Sequence, residues 1–203
     1  MRTLVISDLH LGSRGGRDVL RHPAALDRLC GALETVDRLV LLGDTVELAE
    51  GRPAAAMEAA EPVLRAMGDA LGKDRQVLMV PGNHDHAFVR PWLDELRADD
   101  RDLKPSMRVP MRTSLRLRRI SRWLRPARLQ VRYPGADLGD GIWAHHGHYL
   151  DRHVVRRPEI TADAVPLDYE RAPGTSIADL TASLSPALAK RLQLVGGLAR
   201  GAG

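Results

Sequence analysis

Short apolar runs alternate with longer amphipathic segments through the first hundred residues. Three runs are continuous and β-prone, which is typical of strands that are buried on both faces of a sheet; they cover residues 4–6, 39–42 and 77–80. Apolar residues at three- and four-residue spacing predict a helix that begins at Pro23, a second over residues 54–71 and a short third over residues 92–97. This βαβαβ order predicts an α/β fold with a parallel sheet and right-handed crossovers.

The pattern changes after residue 99. Residues 99–111 are predicted to form a loop, and in residues 112–124 basic and apolar side chains alternate, with Leu117, Ile120 and Leu124 on one helical face. Residues 129–133 and 141–144 predict two strands joined by a turn-rich loop that starts at Pro134-Gly135. We expect one domain over residues 1–150 and a helical tail over residues 151–203, with its helix at residues 177–194.

Carboxylate, imidazole and amide side chains follow directly on each of the three apolar runs. The segments are Ser7-Asp8-Leu9-His10, Gly43-Asp44-Thr45-Val46-Glu47 and Gly82-Asn83-His84-Asp85, and a fourth, His145-His146-Gly147-His148, follows the last predicted strand. Because open α/β sheets build their sites at the carboxyl ends of the strands, we expect these side chains to converge. Oxygen and imidazole ligands favour divalent ions such as Mn²⁺, Fe²⁺ or Zn²⁺ over softer metals.

Over residues 1–151, the four segments resemble motifs of the calcineurin-like metallophosphoesterase superfamily. Gly-Asp-x-x-Glu and His-Gly-His are most similar to the branch that contains UDP-2,3-diacylglucosamine hydrolases, whereas Gly-Asn-His-Asp is the general superfamily form. The resemblance implies a layered α/β sandwich, and we expect its second sheet to be incomplete. The family's later Gly-His-x-His motif has no counterpart in a chain without histidine after His153, so we expect a truncated member.

The same resemblance implies a dinuclear metal site with two divalent ions, Mn²⁺ in the first place and Fe²⁺ or Zn²⁺ as alternatives. Asp44 would bridge the two ions, since a carboxylate can do so and an imidazole cannot. Asp8 and His10 would hold one ion, and Asn83 and His146 would hold the other. Two such ions can activate water and neutralise phosphoryl oxygens in an in-line displacement.

Other polar residues of the motifs receive expected roles beside the metal ligands. His84 is the expected general acid that protonates the leaving oxygen, and Asp85 is expected to orient its imidazole. Glu47 either supports its turn or hydrogen-bonds a ligand. His145 lies either beside the ligands or on the surface, and His148 is expected to be structural or to face the substrate. His22, His86 and His153 are expected to be ordinary surface residues.

The positive charge is concentrated in one segment. The net charge is +4, but residues 112–132 contain eight arginines and no acidic residue, which leaves the remainder near −4. Three interpretations stay open. The first is a solvated surface helix. The second is a cap in which the arginines bind phosphate or diphosphate, while Leu, Ile and Trp contact an acyl chain or bilayer headgroups. The third is a nucleic-acid site. The last ranks lowest, because only Trp123 and Tyr133 could stack on bases.

These observations predict a metal-dependent hydrolase of phosphoester or diphosphate bonds, with a lipid-linked substrate preferred. The alternative is a truncated or degenerate, catalytically impaired member that serves as a binding module for anionic lipid or nucleic acid. The lone Cys30 cannot form an internal disulfide, and the sequence contains no signal-peptide-like segment and no run of 18 apolar residues. We therefore expect a cytoplasmic protein, with peripheral contact to the inner face of the membrane as a further hypothesis.

Overall fold

The computed structural model describes residues 1–16 and 18–148. The predicted tail, its helix and His153 lie outside these residues. The strands are β1 (Thr3–Ile6), β2 (Arg38–Leu42), β3 (Gln76–Val80), β4 (Ser106–Arg108), β5 (Arg128–Gly139) and β6 (Ile142–His145). The helices are α1 (Pro23–Leu33), α2 (Pro53–Leu71), α3 (Arg90–Ala98) and α4 (Leu115–Trp123). No helix among the described residues is both long and apolar enough to pass through a membrane.

The six strands form one sheet in the order β1-β2-β3-β5-β4, and β6 pairs with β5. The pairs β1–β2, β2–β3 and β3–β5 are parallel, whereas β4 and β6 run antiparallel to β5. Helices connect the parallel strands. The predicted α/β class with a parallel core sheet is therefore confirmed.

Helices α1, α2 and α4 cover one face of the sheet because each carries an apolar stripe. In α2 the buried stripe includes Met57, Leu64 and Met67, and the helix stops at Gly72, which has a φ of 83°. Gly68 lets the backbone at Leu124 approach α2 closely. Burial of each large apolar side chain contributes about 1.5–3 kcal/mol, so this face supplies most of the hydrophobic stabilisation.

The opposite face is covered by the carboxyl half of β5 and by β6. Val40, Leu78 and Val80 pack against Ala136, and the Arg38 Nη2 donates a hydrogen bond of 2.8 Å to the carbonyl of Leu138. The long strand β5 thus begins in the parallel sheet and continues as a hairpin over it. This hairpin carries residues 145–148 back towards the ends of the parallel strands.

The first apolar run is not buried on both faces as its sequence predicts. Val5 shares its face of the sheet with Val40, its register partner, yet its surface is 43% exposed. The reason is that β1 is the edge strand among the described residues, and the described part of the hairpin packs on β2 and β3.

Two predicted boundaries in the second half of the domain are wrong. The chain does not turn at Pro134-Gly135, because β5 runs on to Gly139 and the turn lies at Asp140-Gly141. A Cβ atom on Gly135 would approach the Trp143 ring to 2.5 Å, so this glycine serves cross-strand packing. The predicted loop over residues 99–111 contains β4, which pairs with β5.

Candidate metal centre

The loops that follow β1, β2 and β3 lie side by side and are joined by backbone hydrogen bonds. The bonds run from Asp8 N to Gly43 O (3.1 Å), from His10 N to Asp44 O (2.8 Å) and from Leu48 N to His84 O (3.1 Å). A parallel bridge between Leu11 and Val46 continues the β1–β2 pairing beyond the strands. The three motifs therefore meet at one edge of the sheet, as their position after the strands predicts.

Asp8, Asp44 and His146 form one group of ligand atoms, all within 4.8 Å of one another. The Nε2 atom of His146 lies 3.2 Å from Asp44 Oδ2, and its Nδ1 lies 3.0 Å from the carbonyl oxygen of Leu42. Because a carbonyl can only accept, Nδ1 must carry the proton of this bond. This leaves Nε2 directed at Asp44, which is the arrangement that a metal-binding imidazole needs.

His10, Glu47 and His84 form a second group whose ligand atoms also lie within 4.8 Å of one another. Glu47 is fully buried; its carboxylate lies 3.0 Å from His10 Nδ1 and 2.8 Å from His84 Nδ1. The two imidazole rings meet edge to face at 4.6 Å. His10 Nε2 lies 3.8 Å from Asp44 Oδ2, so the two groups adjoin at Asp44.

Glu47 fulfils both of the roles that the sequence left open. Its Oε1 accepts hydrogen bonds from the amides of Ala49 (3.1 Å) and Glu50 (2.9 Å), which supports the turn. The same carboxylate also orients two imidazoles. The only sequence signal for this second role was the Gly-Asp-x-x-Glu spacing, which does not indicate where the carboxylate points.

The expectation that Asp85 orients the His84 imidazole is wrong. Asp85 is completely buried, and its oxygens accept hydrogen bonds from the amides of Gly82 (2.6 Å), Thr45 (2.7 Å) and Val46 (3.4 Å). It therefore ties the loop after β3 to the loop after β2. Burial, then the nearby Asp44 charge, raises the pKa of Asp85 to about 6.

Asn83 lies between Gly82 and His84, whose backbone amides are both held by hydrogen bonds to carboxylates. The Gly82 amide is bound by Asp85, and the His84 amide donates a hydrogen bond of 2.9 Å to Asp44 Oδ1. The half-buried Asn83 is thereby held next to the carboxylate that the sequence predicts as the bridge. Its role as a ligand stays a prediction.

Three of the predicted ligands have a left-handed backbone. The φ angles are 56° at Asp8, 43° at His10 and 51° at Asp44. Such conformations cost a non-glycine residue roughly 1–3 kcal/mol and persist only where the surrounding structure enforces them, commonly at functional sites. Here the backbone hydrogen bonds between the loops hold them in place.

Asp44 and Glu47, the two buried carboxylates that face the imidazoles, remain negatively charged near neutral pH. Burial raises the pKa of Asp44, but hydrogen bonds from the His146 ring and the His84 amide outweigh it and the net shift is downward. In Glu47 burial is likewise outweighed by hydrogen bonds from His84 and His10. The bond to Asp44 raises the pKa of His146 to about 9. Buried negative charge of this kind requires a cation beside it, either a proton on the imidazole or a metal ion.

Two glycines make room for His146 beside Asp44. A Cβ atom on Gly43 would collide with the His146 ring, and one on Gly82 would come within 2.7 Å of the Asp44 amide nitrogen and of His146 Cδ2. Neither residue can carry a side chain without moving the ligands. This close approach explains glycine at both positions of the motifs.

We expect Gly82→Ala to weaken metal binding while the protein still folds. The added methyl group must displace Asp44 or His146, and overpacking of this kind typically costs about 1–3 kcal/mol. Titration with Mn²⁺ checks the affinity, and thermal unfolding checks the fold. Gly31→Ala is the control, because a Cβ there meets no atom within 4 Å and it lies in α1. Equal Mn²⁺ affinity in both variants would show that the close packing is irrelevant to the ligands.

The remaining histidines differ in their surroundings. His148 is buried with its Nε2 3.5 Å from the Tyr133 hydroxyl, and burial lowers its pKa to about 3, so it is neutral. The half-buried His145 ring lies 4.8 Å from the ring of Trp143. His86 is half-buried rather than a surface residue, with its ring 5.9 Å from Tyr133, whereas His22 is exposed as expected.

The apolar side chains on the inner face of the arginine-rich segment are not available to a ligand. Leu117, Ile120 and Leu124 are fully buried, and Trp123 is 4% exposed, because this face of α4 belongs to the core beside α2. The expectation that they contact an acyl chain is therefore wrong. Trp123 and Tyr133, which is 1% exposed, are also too buried to stack on bases.

The comparisons with known proteins give one match. The family model of the calcineurin-like phosphoesterases matches residues 1–177, which is most of the chain. No match was found among the curated proteins or among the solved structures. The match covers every predicted ligand but does not distinguish one branch of the family from another.

Proposed function

Because the chain belongs to the calcineurin-like phosphoesterase family, we propose that it hydrolyses phosphoester or diphosphate bonds at a dinuclear metal centre. Membership supports the general class, a metal-dependent phosphoester hydrolase. The observation that carries the finer proposal is the convergence of Asp8, Asp44 and His146 within 4.8 Å, directly beside His10.

The donor set fits two divalent ions. Asp44 Oδ2 lies 3.2 Å from His146 Nε2 on one side and 3.8 Å from His10 Nε2 on the other, as a bridging carboxylate requires. Asp8 and His10 would hold one ion, and Asn83 and His146 the other. Carboxylate, imidazole and amide donors suit Mn²⁺, with Fe²⁺ or Zn²⁺ as alternatives. When bound, the ions supply positive charge to the phosphoryl group and lower the pKa of the attacking water.

His84 is the proposed general acid. Glu47 holds its Nδ1 at 2.8 Å, which fixes the orientation of the ring. Nε2 is then the atom that can deliver a proton to the leaving oxygen, and the side chain is 20% exposed, so a substrate can reach it. Glu47 is a positioning residue in this scheme, and Asp85 acts only through the loops it joins.

The substrate that we propose is a phosphoester or diphosphate, and the Gly-Asp-x-x-Glu and His-Gly-His segments support a lipid-linked diphosphate as the preferred form. A cytoplasmic location, in which the single Cys30 stays reduced, is part of the same proposal. A second candidate is a catalytically impaired family member that binds anionic ligands. The exposed arginines of α4 favour it, because they offer positive charge to an anionic ligand.

Removal of metal separates these candidates. We expect dialysis against a chelator to abolish hydrolysis of bis(p-nitrophenyl) phosphate, and Mn²⁺ to restore it, since the ions contribute several kcal/mol of transition-state stabilisation. Circular dichroism before and after dialysis checks that the fold is unchanged. Undiminished hydrolysis without metal would contradict the dinuclear proposal. Stoichiometric metal binding with no turnover of any phosphoester would favour the impaired binding module.

A further inference from the structure

The outer surface of α4 and its flanking turns carries a row of exposed arginines. We call it the arginine face; its members are Leu115 together with Arg112, Arg116, Arg118, Arg119, Arg122 and Arg125. Leu115, Arg118, Arg119 and Arg122 have the spacing i, i+3, i+4 and i+7, which places them on one side of the helix. Leu115 is 70% exposed, so a large apolar side chain stands among the guanidinium groups.

The arginine face is not neutralised by the protein itself. Among residues 1–16 and 18–148, none of its six arginines forms an ion pair, whereas two helical arginines elsewhere do: Arg65 pairs with Glu61 in α2, and Arg97 pairs with Asp94 in α3. Arg118 and Arg122 are four residues apart, and like charges at this spacing destabilise a helix. Among the described residues, no acidic side chain therefore compensates the repulsion between the arginines of α4.

Helix α4 does not need these arginines in order to form. Its amino end is capped by the Ser114 Oγ, which accepts a hydrogen bond of 3.3 Å from the Leu117 amide. Leu117 and Ile120 are fully buried and anchor it beside α2. The contact of Arg119 with the Trp123 ring, 5.1 Å from the centroid, involves only one guanidinium. The remaining positive charge is thus available to a partner.

We propose that the arginine face binds an anionic membrane surface. Guanidinium groups bind lipid phosphates through paired hydrogen bonds, and Leu115 would enter the boundary between headgroups and acyl chains. A lipid surface is favoured over nucleic acid because the face presents an exposed aliphatic side chain, whereas the nearby aromatic residues Trp123 and Tyr133 are buried. Stacking on aromatic side chains supplies much of the binding to single-stranded nucleic acid.

The carboxyl end of this surface, with Arg122 and Arg125, lies away from the metal centre, and the inference goes beyond the proposed hydrolysis. Helix α4 leads into β5, whose Arg128 pairs with Gln76 at the start of β3. The carboxyl end of α4 therefore lies at the edge of the sheet opposite to the ligand residues. Membrane binding and hydrolysis of a soluble substrate can be measured independently, so failure of either proposal leaves the other intact.

The test is co-sedimentation of the full chain with vesicles of phosphatidylcholine that contain about one third phosphatidylglycerol. We expect Arg118→Gln with Arg122→Gln to lower the partition coefficient about 30-fold, since each arginine near an anionic surface contributes about fivefold. Leu115→Gln should lower it several-fold at unchanged net charge. The matched control, Arg28→Gln with Arg101→Gln, removes the same charge from exposed positions outside the arginine face.

Each possible result of the sedimentation test either supports or overturns the membrane proposal. Loss of sedimentation in the α4 variant but not in the control, together with weaker binding at high salt, supports the proposal. No sedimentation of the unaltered chain, or an equal loss in the control, overturns it. Binding of a short DNA duplex that requires the arginine face, without binding to vesicles, would assign the face to nucleic acid instead. Circular dichroism and hydrolysis of bis(p-nitrophenyl) phosphate show that each variant is folded.

Discussion

Asp44→Ala is expected to remove both metal ions and to lower phosphodiester hydrolysis by about 10³-fold or more. Asp44 is 3% exposed, and its Oδ2 atom faces the Nε2 atoms of His10 and His146, so its loss affects both halves of the site. Elemental analysis of the protein after reconstitution with Mn²⁺ measures the metal content. Retention of one ion per chain would show that Asp44 is an ordinary ligand and not a bridge.

Two further variants make this result specific. Asp27→Ala removes an exposed carboxylate from α1 and should leave metal content unchanged. Asp44→Asn preserves the size of the side chain and one oxygen, but not the negative charge. If it also loses the metal, the charge of the bridge rather than its shape is required.

His84→Ala is expected to reduce turnover about 10²–10⁴-fold for a substrate with a poor leaving group, while metal content stays nearly intact. The poor leaving group needs a proton, and Glu47 positions the His84 ring to supply it. An aryl phosphodiester, whose nitrophenolate departs without protonation, should lose much less. The comparison of kcat for an alkyl and an aryl phosphodiester measures this difference. Equal losses for the two substrates would argue against the acid role.

Glu47→Gln tests the positioning role that accompanies it. The amide oxygen can still accept from the turn amides of Ala49 and Glu50, but the negative charge that holds the His84 imidazole is lost. The decrease should appear in kcat rather than in KM, and chiefly for the poor leaving group. His22→Ala, at an exposed histidine, is the control.

The convergence of the motifs could be predicted because it depends on local pattern alone. Continuous apolar runs mark the parallel strands, and residues that directly follow them must lie at their carboxyl ends. Asp8, Asp44 and Asn83 are placed in this way by chain position. The amphipathic spacing of α2 likewise determined which of its residues would be buried.

The partners of the carboxylates could not be predicted in the same way. Asp85 follows His84 directly, yet its side chain points back to the amides of the neighbouring loop, and Glu47 from that loop reaches the imidazole. Adjacent positions in a loop do not determine side-chain directions, which depend on the packing of both loops. Sequence therefore supplied the residue types of the site but assigned to Asp85 the contact with His84 that Glu47 makes.

The course of β5 shows a similar limit. Pro134 and Gly135 are typical of turns, but here they lie within a long strand, where Gly135 is required by the Trp143 ring. The alternation of arginine and apolar residues in α4 correctly predicted a helical face, but not that this face would be buried in the core. In both cases the contact that decides the outcome comes from outside the local sequence pattern. It is the Trp143 ring for Gly135, and the core beside α2 for the apolar face of α4.

The left-handed backbone at Asp8, His10 and Asp44 restricts how this site can change in evolution. Apart from glycine, the residues that tolerate such a backbone best are asparagine, aspartate and histidine. Those three are also common metal ligands, so single substitutions that the loops tolerate tend to exchange one ligand type for another. The metal preference of the site could in this way change through single substitutions. Replacement of a ligand by an apolar residue would remove the ligand and also strain the backbone.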